Sequence, residues 1–486
     1  MASIGITAYG GYIPRLRLDR KTVAAAHAWA QPGLRGRGKG ERSMCHWDED
    51  TVTMAVEAGR DCLTGIDPAT IGGLALASTT LPFADRQNAA IVATALGLDR
   101  QVASADIAGS QRAALAALRA ALGQVAVQPG RGALCVASEH RITKPASVQE
   151  LITGDGAAAL AVGSDGVIAE FLGAGAVTAD FVDHFRESGA DFDYGWEERW
   201  VREEGYQKFV PAAVKAALAE AGVEPAAVNH FVMPCIFPKL AERIATGLGI
   251  DEGTVADTLD GVCGETGAAH PLVMLAHCLE GAKPGAVIVV AGFGQGADAL
   301  VFRTTDALAK LPKRTGIGGY LKHRKEETNY LKFLSFNGHL AIDWGMRAEQ
   351  DTKTALTSAW RNVDMVGHFD GGRCTKCGTV QFPKTRICVN PNCQETDTQE
   401  PYSFADKTGK VASFTADWLT HSYAPPLHFG AVTFAEGGKV TMEMTDDEVG
   451  AIAIGQDMRM VYRIKDFDFA RGYRRYFWKA APAIGA

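Results

Sequence analysis

The sequence predicts an α/β body built in layers, followed by a small β module stapled by a metal ion. Up to about Phe302, short apolar runs (GGLALAS, GALCVAS, AAALAVG, HFVMPCI, AVIVVAGFG) alternate with Ala-rich stretches such as AAIVATALG and KLAERIATGL. Apolar strands alternating with amphipathic helices belong to sheets covered on both faces. Further on, four cysteines stand in two close pairs, and beyond them apolar and polar residues alternate between turns such as Gly437-Gly438.

Two series are visible in the α/β part, one ending near Asp165 and the other running from about Tyr206 to Phe302. Each contains a buried strand, a long Ala/Leu helix and a Gly-rich return, so a duplicated half-domain is predicted over 1–165 and 166–304. Residues 305–365 follow as a linker and helical segment. The basic, Gly-containing run LAKLPKRTGIGGYLKHRK reads as a surface linker, and EETNYLKFLSFNGHLAIDWG as a helix that breaks at Asn337-Gly338.

The cysteines come as Cys374-Thr-Lys-Cys377, ten residues, then Cys388-Val-Asn-Pro-Asn-Cys393. Each short turn aims two thiolates at one point, which suits a tetrahedral, soft ion, so a structural zinc ribbon is predicted over 366–398. A closed site of four thiolates folds a domain and does not catalyse. Over 399–486, GKVASFTADWL, AVTFAEGGKVTMEMT and DMRMVYRIKDFDFA read as strands of a small antiparallel barrel of OB-fold type. Its last segment groups Arg471, Arg474 and Arg475, which either hold a phosphorylated ligand or solvate an edge strand.

Composition narrows the classes of function. At 486 residues and 47% hydrophobic content the chain can bury several cores. A net charge of −7 with interspersed signs leaves no basic stripe for nucleic acid. No basic-then-apolar leader opens the chain and no run of about 18 apolar residues occurs, so a soluble cytoplasmic protein with small-molecule ligands is expected. The six other cysteines (Cys45, Cys62, Cys135, Cys235, Cys263, Cys278) show no paired spacing and read as small core residues.

Five segments in a fixed order then carry a resemblance: GITAYGGYIPRLRLDR at the start, Asp48–Ala58, Gly154-Asp155-Gly156-Ala157-Ala158, Asp183–Tyr206, and Gly292-Phe-Gly294-Gln-Gly296-Ala-Asp298. On these the first 300 residues resemble the thiolase superfamily, in particular its 3-hydroxy-3-methylglutaryl-CoA synthase branch. From about Tyr330 the chain resembles the zinc-ribbon plus OB-fold proteins that accompany thiolase-like enzymes as acyl-CoA-binding partners. The resemblance implies a duplicated five-layer α/β fold, a coenzyme A thioester as substrate, and a homodimer.

It also implies where a site would lie. The family's nucleophilic cysteine opens a buried helix, and the matching segment Asp106-Ile-Ala-Gly109-Ser110-Gln111-Arg112 puts Gln111 there, with Ser110 beside it. The family's histidine falls on Pro234, its general acid near Thr79, and its asparagine on Glu265. An amide forms no thioester, but at a helix N-terminus it can donate to a developing enolate. Glu265, His270 and Cys263, in the Gly-rich turn that the resemblance places at the pocket floor, are the candidates for moving a proton. Lys239 matches a lysine that pairs with coenzyme A phosphate, Gly294 and Gly296 let the backbone pass close to the thioester, and Tyr194 or Tyr206 offers a phenol from the pocket wall. The GxGxxG fingerprint is absent from the return at 292–296, so no dinucleotide is expected.

The leading expectation is an acyl-CoA aldolase or retro-aldolase working without a catalytic cysteine. Thiolase-like steroid side-chain aldolases, which work with a zinc-ribbon and OB-fold partner, add weight to it by resemblance. A Claisen-type synthase or acyltransferase using Ser110 or a cysteine is the alternative among enzymes. A non-catalytic acyl-CoA-binding scaffold is the alternative from another class.

Overall fold

The computed structural model describes residues 3–128 and 130–484, so the outermost residues of the first and last predicted segments, 1–2 and 485–486, lie outside the described residues. The chain divides into two compact units. The first comprises Met1–Cys45, Asp50–Ala93 and Leu98–Phe333, and the second His46–Glu49, Thr94–Gly97 and Leu334–Ala486.

The first unit is organised on a nine-stranded sheet. Outward from the middle on one side run Gly5–Tyr12, Gly156–Gly163, Gly132–Glu139, Ile71–Ala77 and Ala103–Ile107. On the other side run Ala169–Thr178, Gly296–Thr304, Val287–Phe293 and His230–Val232. In each half the first strand in sequence pairs with the last, then the penultimate strand and then an early one, which is the predicted duplication written in strand order. The halves join where Gly5 and Ile6 pair antiparallel with Glu170 and Ala169. At Gly5 an added Cβ would sit 2.1 Å from the Ala169 carbonyl oxygen, so this junction needs glycine.

Helices fill the layers as the apolar periodicity requires. Helix Thr51–Cys62 packs on the outer face of strands Gly5–Tyr12 and Gly156–Gly163. A capping box sets its start, with Asp50 accepting from the Thr53 amide while the Thr53 hydroxyl accepts from the Asp50 amide. Helix Gln207–Ala221 covers strands Ala169–Thr178 and Gly296–Thr304. Between the halves lie Ala113–Val127 and His270–Gly281, each touching strands of both. Their small residues (Ala113, Ala114, Ala117, Ala121; Ala276) are buried, which allows the close packing of a central layer.

The stretch expected to be a surface linker is part of this unit. Asp61 accepts from the Thr315 and Gly316 amides, Arg314 donates to the Tyr9 and Cys62 carbonyls, and Ile317 is buried. Lys325–Glu327 then pairs parallel with Leu16–Leu18. Its basic composition hid anchors that are mostly backbone groups. The following helix, Tyr330–Phe336, ends before Gly338, whose φ is +73°.

In the second unit, strands Asp370–Cys374, Val380–Gln381 and Gln399–Ser403 form the ribbon sheet. Five antiparallel strands follow in the order Lys439–Glu443, Leu427–Phe434, Gly409–Asp417, Asp457–Asp468, Tyr473–Pro482. The two edges of that sheet meet at a bridge between Met444 and Ala480. Phe369, Phe404 and Trp478 are buried at the core, with the Phe369 and Trp478 rings stacked at 6.1 Å. The C-terminal arginines are held locally: Arg471 pairs with Asp468, Arg475 with Asp466, and Arg474 lies over the Phe467 ring. Among the described residues no helix is long and apolar enough to cross a membrane.

Candidate active site

Strand Ala103–Ile107 delivers Asp106, which accepts from the Asn88 and Ala89 amides (2.8 and 2.7 Å) and so caps a neighbouring helix. The chain then turns through Gly109, at φ +89°, and enters the central helix Ala113–Val127. Gln111 stands in this turn. The turn is fastened to the return at 292–296, because the Ser110 hydroxyl and the Arg112 Nε both donate to the Gly294 carbonyl at 2.9 Å. Arg112 also pairs with Asp298 at 3.2 Å.

From the other half comes Glu265. Its amide donates to the Ile152 carbonyl and its own carbonyl accepts from the Gly154 amide, both at 2.8 Å. Gly264, at φ +84°, makes the turn that this clamp requires.

Gln111 and Glu265 both line a cavity of about 170 Å³. Its wall includes Arg141, Asp183, His184, Asp193, Tyr206 and Cys235. Both polar atoms of the Gln111 carboxamide are shut off from solvent without a hydrogen-bond partner among the described residues. A buried amide left unpaired costs on the order of 1–3 kcal/mol, and a bound molecule that paired with this carboxamide would recover it.

The charges are arranged in pairs. Arg141 donates to Asp193 through Nε and Nη2 (3.2 and 2.5 Å), and Arg186 pairs with the other Asp193 oxygen at 3.1 Å. Burial works against the Arg141 charge, but Asp193, Glu265 and Glu139 outweigh it and raise its pKa. Glu139 is itself fully buried beneath Thr79, whose amide and hydroxyl donate to it, and burial raises its pKa.

Of the residues singled out in the sequence, Gln111, Glu265 and Tyr206 come together here, with Pro234 and Cys235. Tyr206 stacks on Phe293 at 4.1 Å, and burial pushes its phenol well above the usual range, so it serves as wall. Cys235 has its thiol pushed up to about 12 by burial.

The structure does not bring the others to the cavity wall. The Ser110 hydroxyl is engaged by Gly294, and Gly294 and Gly296 lie behind Gly292 and Phe293, which form the lining. Cys263 is buried under its own turn, donating to the Leu259 and Gly264 carbonyls, and burial raises its pKa to about 12. His270 accepts from the Thr266 amide at Nδ1 (3.1 Å), so Nε2 carries the proton and donates to the Thr258 carbonyl at 2.8 Å. It is a neutral, fully bonded core imidazole. Lys239 is exposed at φ +58° before helix Leu240–Leu248, and Tyr194 is exposed on Phe185.

Sequence reasoning missed Arg141, Asp193, Asp183 and His184. The last three lie in or beside a two-residue strand pair, His184–Phe185 with Tyr194–Gly195, too short to leave a periodic pattern. Charge density between Asp183 and Asp193 was the available signal.

In the second unit, the four cysteine sulfurs, Cys374, Cys377, Cys388 and Cys393, lie within 4.8 Å of one another, with no disulfide among them. That donor set fits a tetrahedral zinc thiolate site.

A duplicated sheet with two central helices and a cavity at the entry of one of them defines a thiolase-like protein. Solved structures agree: MvaS in complex with 3-hydroxy-3-methylglutaryl coenzyme A has a TM-score of 0.57 at 19% identity, covering 69% of this chain and 91% of that one. The 3-oxoacyl-[acyl-carrier-protein] synthase III of Aquifex aeolicus has 0.54 at 18%, covering 62% and 99%. Residues 218–303 match the 3-oxoacyl-[acyl-carrier-protein] synthase III C-terminal family, and residues 365–399 the ChsH2 rubredoxin-like zinc ribbon family. Hydroxymethylglutaryl-CoA synthase of Caldivirga maquilingensis is 32% identical over 346 residues, 69% of this chain and 97% of that protein. That of Methanocella arvoryzae is 31% identical over 348 residues, with 69% and 97% covered. The chain belongs to the hydroxymethylglutaryl-CoA synthase family, with a zinc ribbon module added.

Proposed function

We propose that the first unit makes or breaks a carbon–carbon bond in a short, polar acyl-CoA by an aldol or retro-aldol step, without an acyl-enzyme. The observation that carries this is the unpartnered Gln111 carboxamide at a cavity that Glu265 also lines. An aldol step needs donors for the enolate oxygen and a base for the α-carbon, but no nucleophile. Gln111 supplies a donor for the enolate oxygen, and Glu265 the base.

Cavity size and charge support the substrate class. About 170 Å³ is small beside the usual 300–1,000 Å³ of ligand sites, and the paired charges suit hydroxyl or carbonyl groups better than an alkyl chain. A neighbouring groove of about 380 Å³, lined by Arg20, Arg37 and Lys39, shares Arg37, Ile152 and Ile236 with the cavity. Arg37 and Lys39 are the cations it offers to the phosphates of coenzyme A, since Arg20 is buried on Asp260. We assign Cys374, Cys377, Cys388 and Cys393 to one structural zinc, and a homodimer follows from resemblance.

A second reading, a Claisen-type acyltransferase, is favoured by the names of the relatives. Its nucleophile would be Cys235 or Ser110, against which stand the raised pKa of one and the engaged hydroxyl of the other. Glu265→Gln tests the assigned base, and an acyl group trapped on the protein separates the readings. Loss of about 10²-fold or more in turnover and in α-proton exchange supports the assigned base, and full turnover removes it.

A further inference from the structure

We infer that His184, held by Asp183, is a second proton-transfer residue of this cavity, serving the oxygen of the aldol hydroxyl. The inference rests on the aldol reading above and deepens it. Asp183 and His184 both line the cavity, and the His184 Nδ1 lies 2.8 Å from the Asp183 Oδ2. A carboxylate only accepts, so Nδ1 carries a proton and Nε2 is left as the exchangeable site. The second Asp183 oxygen is buried without a hydrogen-bond partner, and the side chains are only 25% and 10% exposed.

The segment that bears the pair is held in place. His184 pairs with Gly195, and the Trp196 amide donates to the Asp183 carbonyl at 2.9 Å. Asp193, two residues before Gly195, is gripped by both Arg141 and Arg186, and Arg186 reaches the Thr79 carbonyl. Such fixing is what a proton-transfer group requires. The strand-to-helix turn where the resemblance places a histidine carries Pro234, so an imidazole enters the same cavity from a different wall.

The step balances without a further reactant. In the aldol direction the Glu265 carboxylate takes a proton from C2 of the thioester, and the electron pair delocalises onto the thioester oxygen. C2 then bonds to the carbonyl carbon of the second substrate, and the resulting alkoxide takes the Nε2 proton of a His184 imidazolium. Solvent returns a proton from Glu265 to His184. In the retro-aldol direction neutral His184 accepts the hydroxyl proton as the C2–C3 bond breaks, the enolate takes a proton at C2 from the Glu265 carboxylic acid, and solvent carries the proton from His184 back to Glu265. Asp183 is a positioning residue, holding the ring so that Nε2 faces the reacting oxygen.

The test uses the full-length protein, a panel of 3-hydroxyacyl-CoA thioesters with their shorter acyl-CoA products, and two readouts: product formation, and deuterium exchange at C2 of the acyl-CoA. His184→Ala is expected to lose about 10²- to 10³-fold in product formation, with partial restoration by added imidazole and C2 exchange kept. His184→Gln, closer in volume, guards against misfolding and is expected to lose as much without imidazole rescue. Asp183→Asn is expected to lower kcat with KM unchanged. Wild-type turnover in both His184 variants would overturn this inference and leave the aldol reading standing. Absence of C2 exchange and of cleavage in the wild-type protein would overturn the aldol reading, and this inference with it.

Discussion

Gly294 leaves no space for a side chain beside Gln111: a Cβ added there would lie 2.9 Å from the Gln111 Cβ and 3.2 Å from its amide nitrogen. The return at 292–296 thereby packs directly against Gln111, which lines the cavity. Two donors from the Ser110–Arg112 turn clamp the Gly294 carbonyl on the same contact.

Gly294→Ala is therefore expected to displace Gln111 while leaving the fold in place, since the backbone at 294 is not left-handed. Misplacement by about 1 Å costs roughly 10²-fold in an oriented reaction, so product formation is expected to fall 10- to 100-fold. Steady-state kinetics beside a thermal melt checks this. Unchanged kinetics would mean that the Gln111 position is not set here.

Metal removal is expected to act on the second unit. With four thiolates within 4.8 Å, the ribbon is expected to hold about one zinc per chain, and Cys388→Ser to lose it. Elemental analysis with limited proteolysis of 366–398 reads both effects.

His270 yields a pH prediction. Burial lowers its pKa below the ordinary 6.5, while in the unfolded chain it titrates near 6.5. Between the two values the unfolded chain binds the extra proton, so this contribution to stability is complete above about pH 6.5 and lost as pH falls through the lowered value. His270→Gln is expected to destabilise by about 1–3 kcal/mol at pH 8 through its lost hydrogen bonds and to flatten the slope below pH 6.5. Urea unfolding across that range measures both.

Two of the residues singled out in the sequence, Gln111 and Glu265, meet at one cavity. Gln111 is reached by aligning the resemblance on Asp106 and the Ala/Leu helix that follows, and Glu265 as the residue standing where the family carries an asparagine; the left-handed glycines at 264 and 267 that bracket it emerge only in the structure. His270 drew attention by type alone. Its bonds to Thr266 and Thr258 depend on how the turn closes, which no spacing reveals. Asp183 and His184 were passed over because neighbours at i and i+1 in an irregular stretch look like any polar loop. The basic run at 308–325 read as a linker because its anchors, Asp61 and the carbonyls of Tyr9 and Cys62, lie about 250 to 300 residues earlier in the chain.

The most direct test of the central claim is intact-protein mass spectrometry after incubation with acyl-CoA and 3-hydroxyacyl-CoA thioesters, with products analysed from the same tubes. The account predicts cleavage or condensation products with the protein at its unmodified mass. A stoichiometric acyl adduct that forms and discharges at the rate of turnover, mapped to Cys235 or Ser110, would contradict it and establish an acyl-enzyme.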